Sequence, residues 1–284
     1  MLLPLLHVII HCALAGPGRT DVDIHKLPSP SIEAEHNPLS AHFERLSQGP
    51  GLWKWPHYFP IYHRHLHKYR GTDAVIAEVG IFSGGSLKMW REYFGPRATI
   101  IGIDLSNRTR VYERNPTYGS PDRIFVGDQS SASFWEYFKT QVPKLDVFLD
   151  DGGHQHIMQK TTLDALWAHL HPGGVYVCED VQGANNEFAM YVFSNFVYAE
   201  AGINAISTFC HHGNAAGAAS RHCIKNPGTK GDYQPHLAEA AFYPYVIVLS
   251  KRTVPLPFTE ALRHGTLWQP PLDSDEFKSS WVGG

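Results

Sequence analysis

Glu78-Val79-Gly80-Ile81-Phe82-Ser83-Gly84-Gly85-Ser86 (residues 78–86) follows an apolar run at 74–77 and precedes a helix-like stretch at 87–94. A second apolar run, residues 99–104, then ends in another acid. Strand, glycine turn, helix, strand, acid is the wiring of a site for a nucleotide-type cofactor. Glycine has no Cβ and lets the main chain approach a ligand, and Asp104 is placed to accept hydrogen bonds from ribose hydroxyls. The turn does not read Gly-x-Gly-x-x-Gly, and no lysine follows it as in a P-loop. Dinucleotide and triphosphate readings both lose ground on that account.

Outward from this turn the alternation continues. Apolar runs at 75–79, 99–104, 124–126, 145–150 and 174–178 predict five strands. Helical patterns at 87–94, 133–141, 156–169 and 188–201 separate and follow them. Continuous apolar strands joined by helices make a parallel sheet covered on both faces. The expected fold is therefore α/β, a doubly wound, mostly parallel sheet with N- and C-terminal extensions. Residues 242–250 read as a late strand. Residues 53–69, dense in aromatics and histidines, read as a helix, either near the ligand mouth or as ordinary core cover. Residues 16–50 read as a linker or arm, 51–254 as the folded domain and 255–284 as an irregular tail.

In a doubly wound sheet, ligands sit beyond the carboxyl ends of the strands. Strand one ends in Glu78 and Gly80, strand two in Asp104 and strand three in Asp128-Gln129. Strand four ends in Asp150-Asp151 and strand five in Glu179-Asp180. One carboxylate at a strand end is ordinarily a solvated turn or a cap; five strands in succession point to a site. Strands four and five would lie about 5 Å apart if paired, which gathers Asp151, Glu179 and Asp180 into one small volume. Like charges so close force protonation or demand a cation, and an all-oxygen set suits Mg²⁺. His154, three residues past Asp151 in Asp-Asp-Gly-Gly-His, is placed to take a proton from a bound hydroxyl.

These motifs together resemble the metal-dependent class I S-adenosylmethionine methyltransferases, and most closely the macrolide-sugar O-methyltransferases of the mycinamicin type. The likeness rests on residues 78–94, Ile-Ile-Gly-Ile-Asp at 100–104, Asp-Asp-Gly-Gly-His at 150–154 and Val-Cys-Glu-Asp at 177–180. The upstream Trp-Pro-His-Tyr-Phe-Pro-Ile-Tyr-His-Arg-His and the late strand at 242–251 add to it, so that it covers about 54–251. It implies a Rossmann-like fold in which Glu78, Gly80, Ser83 and Gly85 surround the methionine part of S-adenosylmethionine. Asp104 would hold the ribose, and Asp128 and Gln129 would border the adenine. Asp150 would lie near the sulfonium or support its turn. Asp151, Glu179 and Asp180 would bind Mg²⁺, with His154 as the base. The family usually has Ser where this chain has Gly153. The implied reaction is methyl transfer to a hydroxyl of a sugar or polyol-like acceptor. A non-catalytic, partner-binding protein of the same fold and a metal-dependent hydroxylase or hydrolase are the alternatives.

The chain has 284 residues, 43% apolar and 18% charged, with a net charge of −3. That balance argues against nucleic acid or an anionic membrane as the main partner; the resemblance implies a small-molecule hydroxyl acceptor, and a homo-oligomer stays open. Residues 1–15 are almost wholly apolar and end in Ala13-Leu14-Ala15, the form of a cleaved secretory signal, and are too short to span a bilayer comfortably. With that signal the protein is expected in the secretory pathway or outside the cell, and without it in the cytoplasm or an organelle. Of the four cysteines, Cys12 lies in the signal and Cys178 in an apolar run that predicts a buried thiol. Cys210 and Cys223 bracket a histidine-bearing loop, with a disulfide the leading reading and a zinc site or two free thiols behind it.

Overall fold

The computed structural model describes residues 37–183, 186–197 and 233–256. The expected signal, most of the arm, Cys210, Cys223 and all but the start of the tail lie outside the described residues.

A seven-stranded sheet carries the domain, in the order β3-β2-β1-β4-β5-β7-β6. Its strands are β1 (Val75–Val79), β2 (Thr99–Asp104), β3 (Arg123–Val126), β4 (Leu145–Asp150), β5 (Leu170–Cys178), β6 (Leu237–Tyr243) and β7 (Val246–Lys251). The first five pair in parallel, and β7 runs antiparallel between β5 and β6. The sheet is thus mostly parallel, as the apolar runs predict. The single late strand expected at 242–250 is instead a hairpin, because Pro244-Tyr245 makes its turn inside that apolar run, with Tyr245 at φ +63°.

Among the described residues, six α-helices flank the sheet: α1 (Pro38–Arg45), α2 (Tyr58–Leu66), α3 (Gly85–Phe94), α4 (Ala132–Gln141), α5 (His156–Leu166) and α6 (Glu187–Val192). Sequence dictates their starts. Asn37 caps α1 by accepting from the Leu39 amide ahead of Pro38, and Ser131 caps α4 by accepting from the Phe134 amide. No side chain caps α3, which begins where Gly84 turns the chain through φ +78°. The helix expected over 53–69 proves shorter: the chain is extended at 51–55, helical in α2, and closes with a 3₁₀ turn at His67–Tyr69. Helix α1 lies inside the stretch read as an arm, yet its Leu39 is fully buried in the core.

Strand alternation splits the core into two faces. Ile76, Ile100, Val147, Leu149, Val175 and Val177 pack with α1, α2 and α3, including the fully buried Trp90 and Tyr62. Ala77, Ile101, Phe148, Tyr176 and Cys178 pack with α4, α5 and α6 around Trp135. Cys178 is a buried free thiol, as expected. Truncating one such aromatic to alanine costs about 3–5 kcal/mol, a large share of the stability of a domain of this size.

Candidate active site

A cavity of about 640 Å³ opens at the carboxyl ends of β1–β5. Gly80, Phe82, Ser83, Asp104, Asp128 and Gln129 line one half, and Trp53, Lys54, Tyr58, Asp151, His154, Glu179 and Asp180 the other.

In the first half the main chain comes close at Gly80. Gly80 takes φ +90°, and a Cβ there would stand 1.8 Å from the Asp151 carbonyl oxygen. No other residue type fits. Asp104 accepts from the Phe82 amide at 3.0 Å and from the Ser106 amide at 2.8 Å, which fixes its carboxylate at the cavity edge. Asp128 is held below the usual carboxylate range by the Ser130 hydroxyl and amide that donate to it. Gln129 is buried and acts as a brace. Its Nε2 donates to Asp150 Oδ1 at 2.6 Å, and its Oε1 accepts from the Gly153 amide at 2.9 Å.

Three residues expected at the cofactor lie behind the wall instead. Gly85 packs main chain to main chain, since a Cβ there would sit 2.3 Å from the Gly51 carbonyl oxygen. Asp150 is buried on the α4–α5 face, accepting from Gln129, from the Tyr176 hydroxyl at 2.7 Å and from the Gly152 amide. It therefore supports the turn, and burial pushes its carboxyl up to about 6. Glu78 is buried and accepts from the Ser86 hydroxyl at 2.5 Å.

The second half is built from side chains. Glu78 stands in register with Leu149, and Leu149 with Val177. Two residues on, Asp151 and Glu179 therefore project to the same face as Glu78, toward α2. The expectation that Asp151 and Glu179 converge is met. Their cation, however, is supplied by the chain itself. Lys54 Nζ is 2.7 Å from Asp151 Oδ2, 2.7 Å from Glu179 Oε2 and 3.5 Å from Glu78 Oε1, with its side chain almost fully buried. Burial alone would lower this lysine, but Glu179, Asp151 and Glu78 together hold it well above its usual value. One ammonium does not balance three carboxylates. Burial and the neighbouring Asp151 push Glu179 up despite Lys54, and burial likewise raises Glu78.

Asp180 turns away from this inner group at φ +52°, and His154 meets it at φ +56°. His154 Nε2 lies 3.6 Å from Asp180 Oδ2, and the Tyr58 hydroxyl donates to Asp180 Oδ1 at 2.5 Å. The expected set of Asp151, Glu179 and Asp180 thus divides. Among the described residues, the sets of three whose ligand atoms fall within 4.8 Å of one another are Glu78-Asp151-Glu179 and Asp151-His154-Asp180, sharing Asp151. The inner set encloses Lys54. The outer set faces the cavity, and its two carboxylates and open aspect fit a hard divalent ion that keeps some waters. Within the inner set, Glu179 Oε1 is buried without a hydrogen bond.

Sequence reasoning missed Lys54 and Tyr58. The signal for Lys54 was a lone cation between Trp53 and Trp55, which the structure resolves as a buried side chain flanked by two exposed ones. The reading of 53–69 as mouth or core cover holds on both counts: Trp53, Trp55 and Tyr58 line the cavity, while Phe59, Tyr62 and Leu66 lie in the core.

No protein-family model matches the chain. The fold aligns with MycE methyltransferase from the mycinamycin biosynthetic pathway, solved with Mg, SAH and mycinamycin VI, at a TM-score of 0.57 and 22% identity, over 86% of this chain and 58% of that one. This is the class I methyltransferase fold. In sequence the chain resembles the macrolide-sugar O-methyltransferases. It is 35% identical over 133 residues to mycinamicin VI 2''-O-methyltransferase of Micromonospora griseorubida, covering 44% of this chain and 32% of the relative. It is 30% identical over 158 residues to demethylmacrocin O-methyltransferase of Streptomyces fradiae, covering 53% of this chain and 37% of that protein. The chain spans about a third of the length of these curated relatives.

Proposed function

We propose that this protein is an S-adenosylmethionine-dependent, Mg²⁺-assisted O-methyltransferase acting on a hydroxyl of a sugar or polyol-like small molecule. The observation that carries the reading is the outer set of Asp151, His154 and Asp180, facing a cavity whose other half is a glycine turn and a strand-end acid. The names of the relatives support the reaction class, and the Mg and SAH held by MycE support the cofactors.

Gly80 and Ser83 would admit the methionine part of the cofactor, and Asp104 would take the ribose. Asp151 and Asp180 would hold the metal, with Glu179 supporting Asp151 through Lys54. When bound, Mg²⁺ supplies polarisation of an acceptor hydroxyl, and S-adenosylmethionine supplies a methyl group already activated as a sulfonium. His154 Nε2 accepts the hydroxyl proton. Asp180 Oδ2, 3.6 Å from that same nitrogen, would stabilise the imidazolium charge that results. Tyr58 fixes Asp180 by donating to it, and the three residues would orient an acceptor hydroxyl for transfer.

The test is transfer of labelled methyl to a panel of sugar and polyol hydroxyls by the full chain. Asp151→Ala and Glu179→Ala should each abolish turnover while calorimetry still shows S-adenosylmethionine binding. Retention of wild-type rates by both variants after chelation sinks the metal role, and a chain that binds no cofactor is a non-catalytic relative of the fold. Residues 1–15 we read as a cleaved secretory signal, which N-terminal sequencing of protein exported from its native cell would establish or refute.

A further inference from the structure

We propose that Lys54 is the resident cation of the inner acidic set, a positioning residue that confines divalent metal to the outer set. The inference rests on the metal-assisted reading above and assigns which carboxylates that metal can use.

Three observations carry it. First, the ligand oxygens of Glu78, Asp151 and Glu179 already lie within 4.8 Å of one another, a spacing that would suit an ion. Second, the space among them is filled by Lys54 Nζ, at 2.7 Å from two of the carboxylates and 3.5 Å from the third. A second cation cannot share that space while the ammonium fills it at hydrogen-bonding distance from two of the acids, so it would have to displace Lys54 first. Third, Lys54 enters from outside the sheet. It stands on the extended strap 51–55, which is seated where Gly51 meets Gly85. It ties Asp151 at the end of β4 to Glu179 at the end of β5, fixing Asp151 in the orientation that leaves its remaining lone pairs to the outer set. Lys54 touches no reacting atom in this account. Its work is to set where the metal goes and how the shared carboxylate is aimed.

The experiment compares wild type, Lys54→Met and the double variant Lys54→Met/Glu179→Gln as full chains. Mn²⁺ uptake is followed by calorimetry and electron paramagnetic resonance, and thermal stability is measured with and without Mn²⁺. Wild type should take up one Mn²⁺. Lys54→Met should take up a second equivalent, or hold the first about tenfold more tightly. Stripped of metal it should melt roughly 5–10 °C lower than wild type, because buried carboxylates lose their partner, and Mn²⁺ should restore more of that loss than it adds to wild type. A lysine that merely filled space would lower the melting point without changing metal stoichiometry or affinity. Unchanged Mn²⁺ binding in Lys54→Met therefore overturns the proposal. If that variant does not fold without metal, removal of one buried charge in the double variant should recover the fold; failure to recover it overturns the proposal equally. Should wild type take up no Mn²⁺ while Lys54→Met does, the assignment of Lys54 stands and the metal-assisted reading of the wild-type reaction falls.

Discussion

In the glycine half of the cavity the decisive contact is main chain on main chain at Gly80, and in the acid half it is side chain on side chain. Gly80 is confined by the Asp151 carbonyl on one side and by its own positive φ on the other. Asp151, Glu179 and Asp180 are confined by what they pair with: Lys54, Tyr58 and His154. The first kind of wall fails when a single carbon is added, and it fails through folding. The second survives changes of shape and fails through charge. A protein that must present both a close-fitting cofactor surface and a cluster of like charges has to solve two different physical problems within one cavity.

Breaking the glycine half gives the largest expected effect. Gly80→Ala drives a Cβ into backbone at a φ that L-residues avoid, and should cost about 3–5 kcal/mol, read by urea unfolding at neutral pH. A loss under about 1 kcal/mol would mean that the loop after β4 yields easily and that the wall is softer than its geometry implies.

The joint between the halves is Gln129. Gln129→Ala leaves the buried Asp150 short of a donor and frees the Gly153 amide, for an expected loss of about 2 kcal/mol. The sign with pH follows from Asp150, whose folded-state value, raised by burial to about 6, lies above its ordinary 3.8. Its protonated form is the one favoured in the fold, so its contribution is fully present below pH 3.8 and fades as pH rises through about 6. The ionised carboxylate needs its donors most, so the damage from Gln129→Ala should be greater at pH 7.5 than at pH 5. Equal losses at both would separate Gln129 from Asp150.

Gly153 sharpens the comparison, because it is a glycine that sits at the acid half. A Cβ there would stand 2.2 Å from Met158 Sδ, the far part of a flexible side chain. Gly153→Ser should therefore cost only about 1–2 kcal/mol, and Met158→Ala in the same chain should return most of it; a double-mutant cycle gives the coupling. Strict additivity would show that Met158 does not fill the serine's space.

His65, outside both halves, sets the smallest effect. Burial lowers its value below the ordinary 6.5 although Glu239 opposes this, and its Nε2 pairs with the Tyr243 hydroxyl. A histidine kept neutral by the fold stabilises fully above 6.5 and less as pH falls below it. His65→Gln should flatten the dependence of melting temperature on pH between about 5 and 7 and leave cofactor binding untouched.

The two halves also differ in how far the sequence discloses them. The glycine turn, Asp104 and the acids after β3, β4 and β5 are local in the chain, and strand alternation alone places Asp151 and Glu179 on one face. The partner of those acids is not local. Lys54 is separated from Asp151 by 97 residues and from Glu179 by 125, and it comes from an extended segment with no period to betray where it points. Glu78, Gly85 and Asp150 were readable as site residues by position, but which side of the wall they occupy depends on packing against Lys54, Gly51 and Gln129. The hairpin at β6 and β7 escaped for a related reason: its turn, Pro244-Tyr245, has no Gly, Asn or Asp and sits inside an apolar, aromatic run.

The seating of the strap also governs traffic. Lifting residues 51–55 off the cavity would pull a fully buried ammonium away from its carboxylates, an uphill step of about 3–5 kcal/mol, and would part Gly51 from Gly85. Trp53, by contrast, is 91% exposed and Phe82 is 75% exposed at the same rim. With that segment seated, exchange through this mouth is expected to follow rotamer changes of Trp53 and Phe82 rather than a slow lifting of residues 51–55.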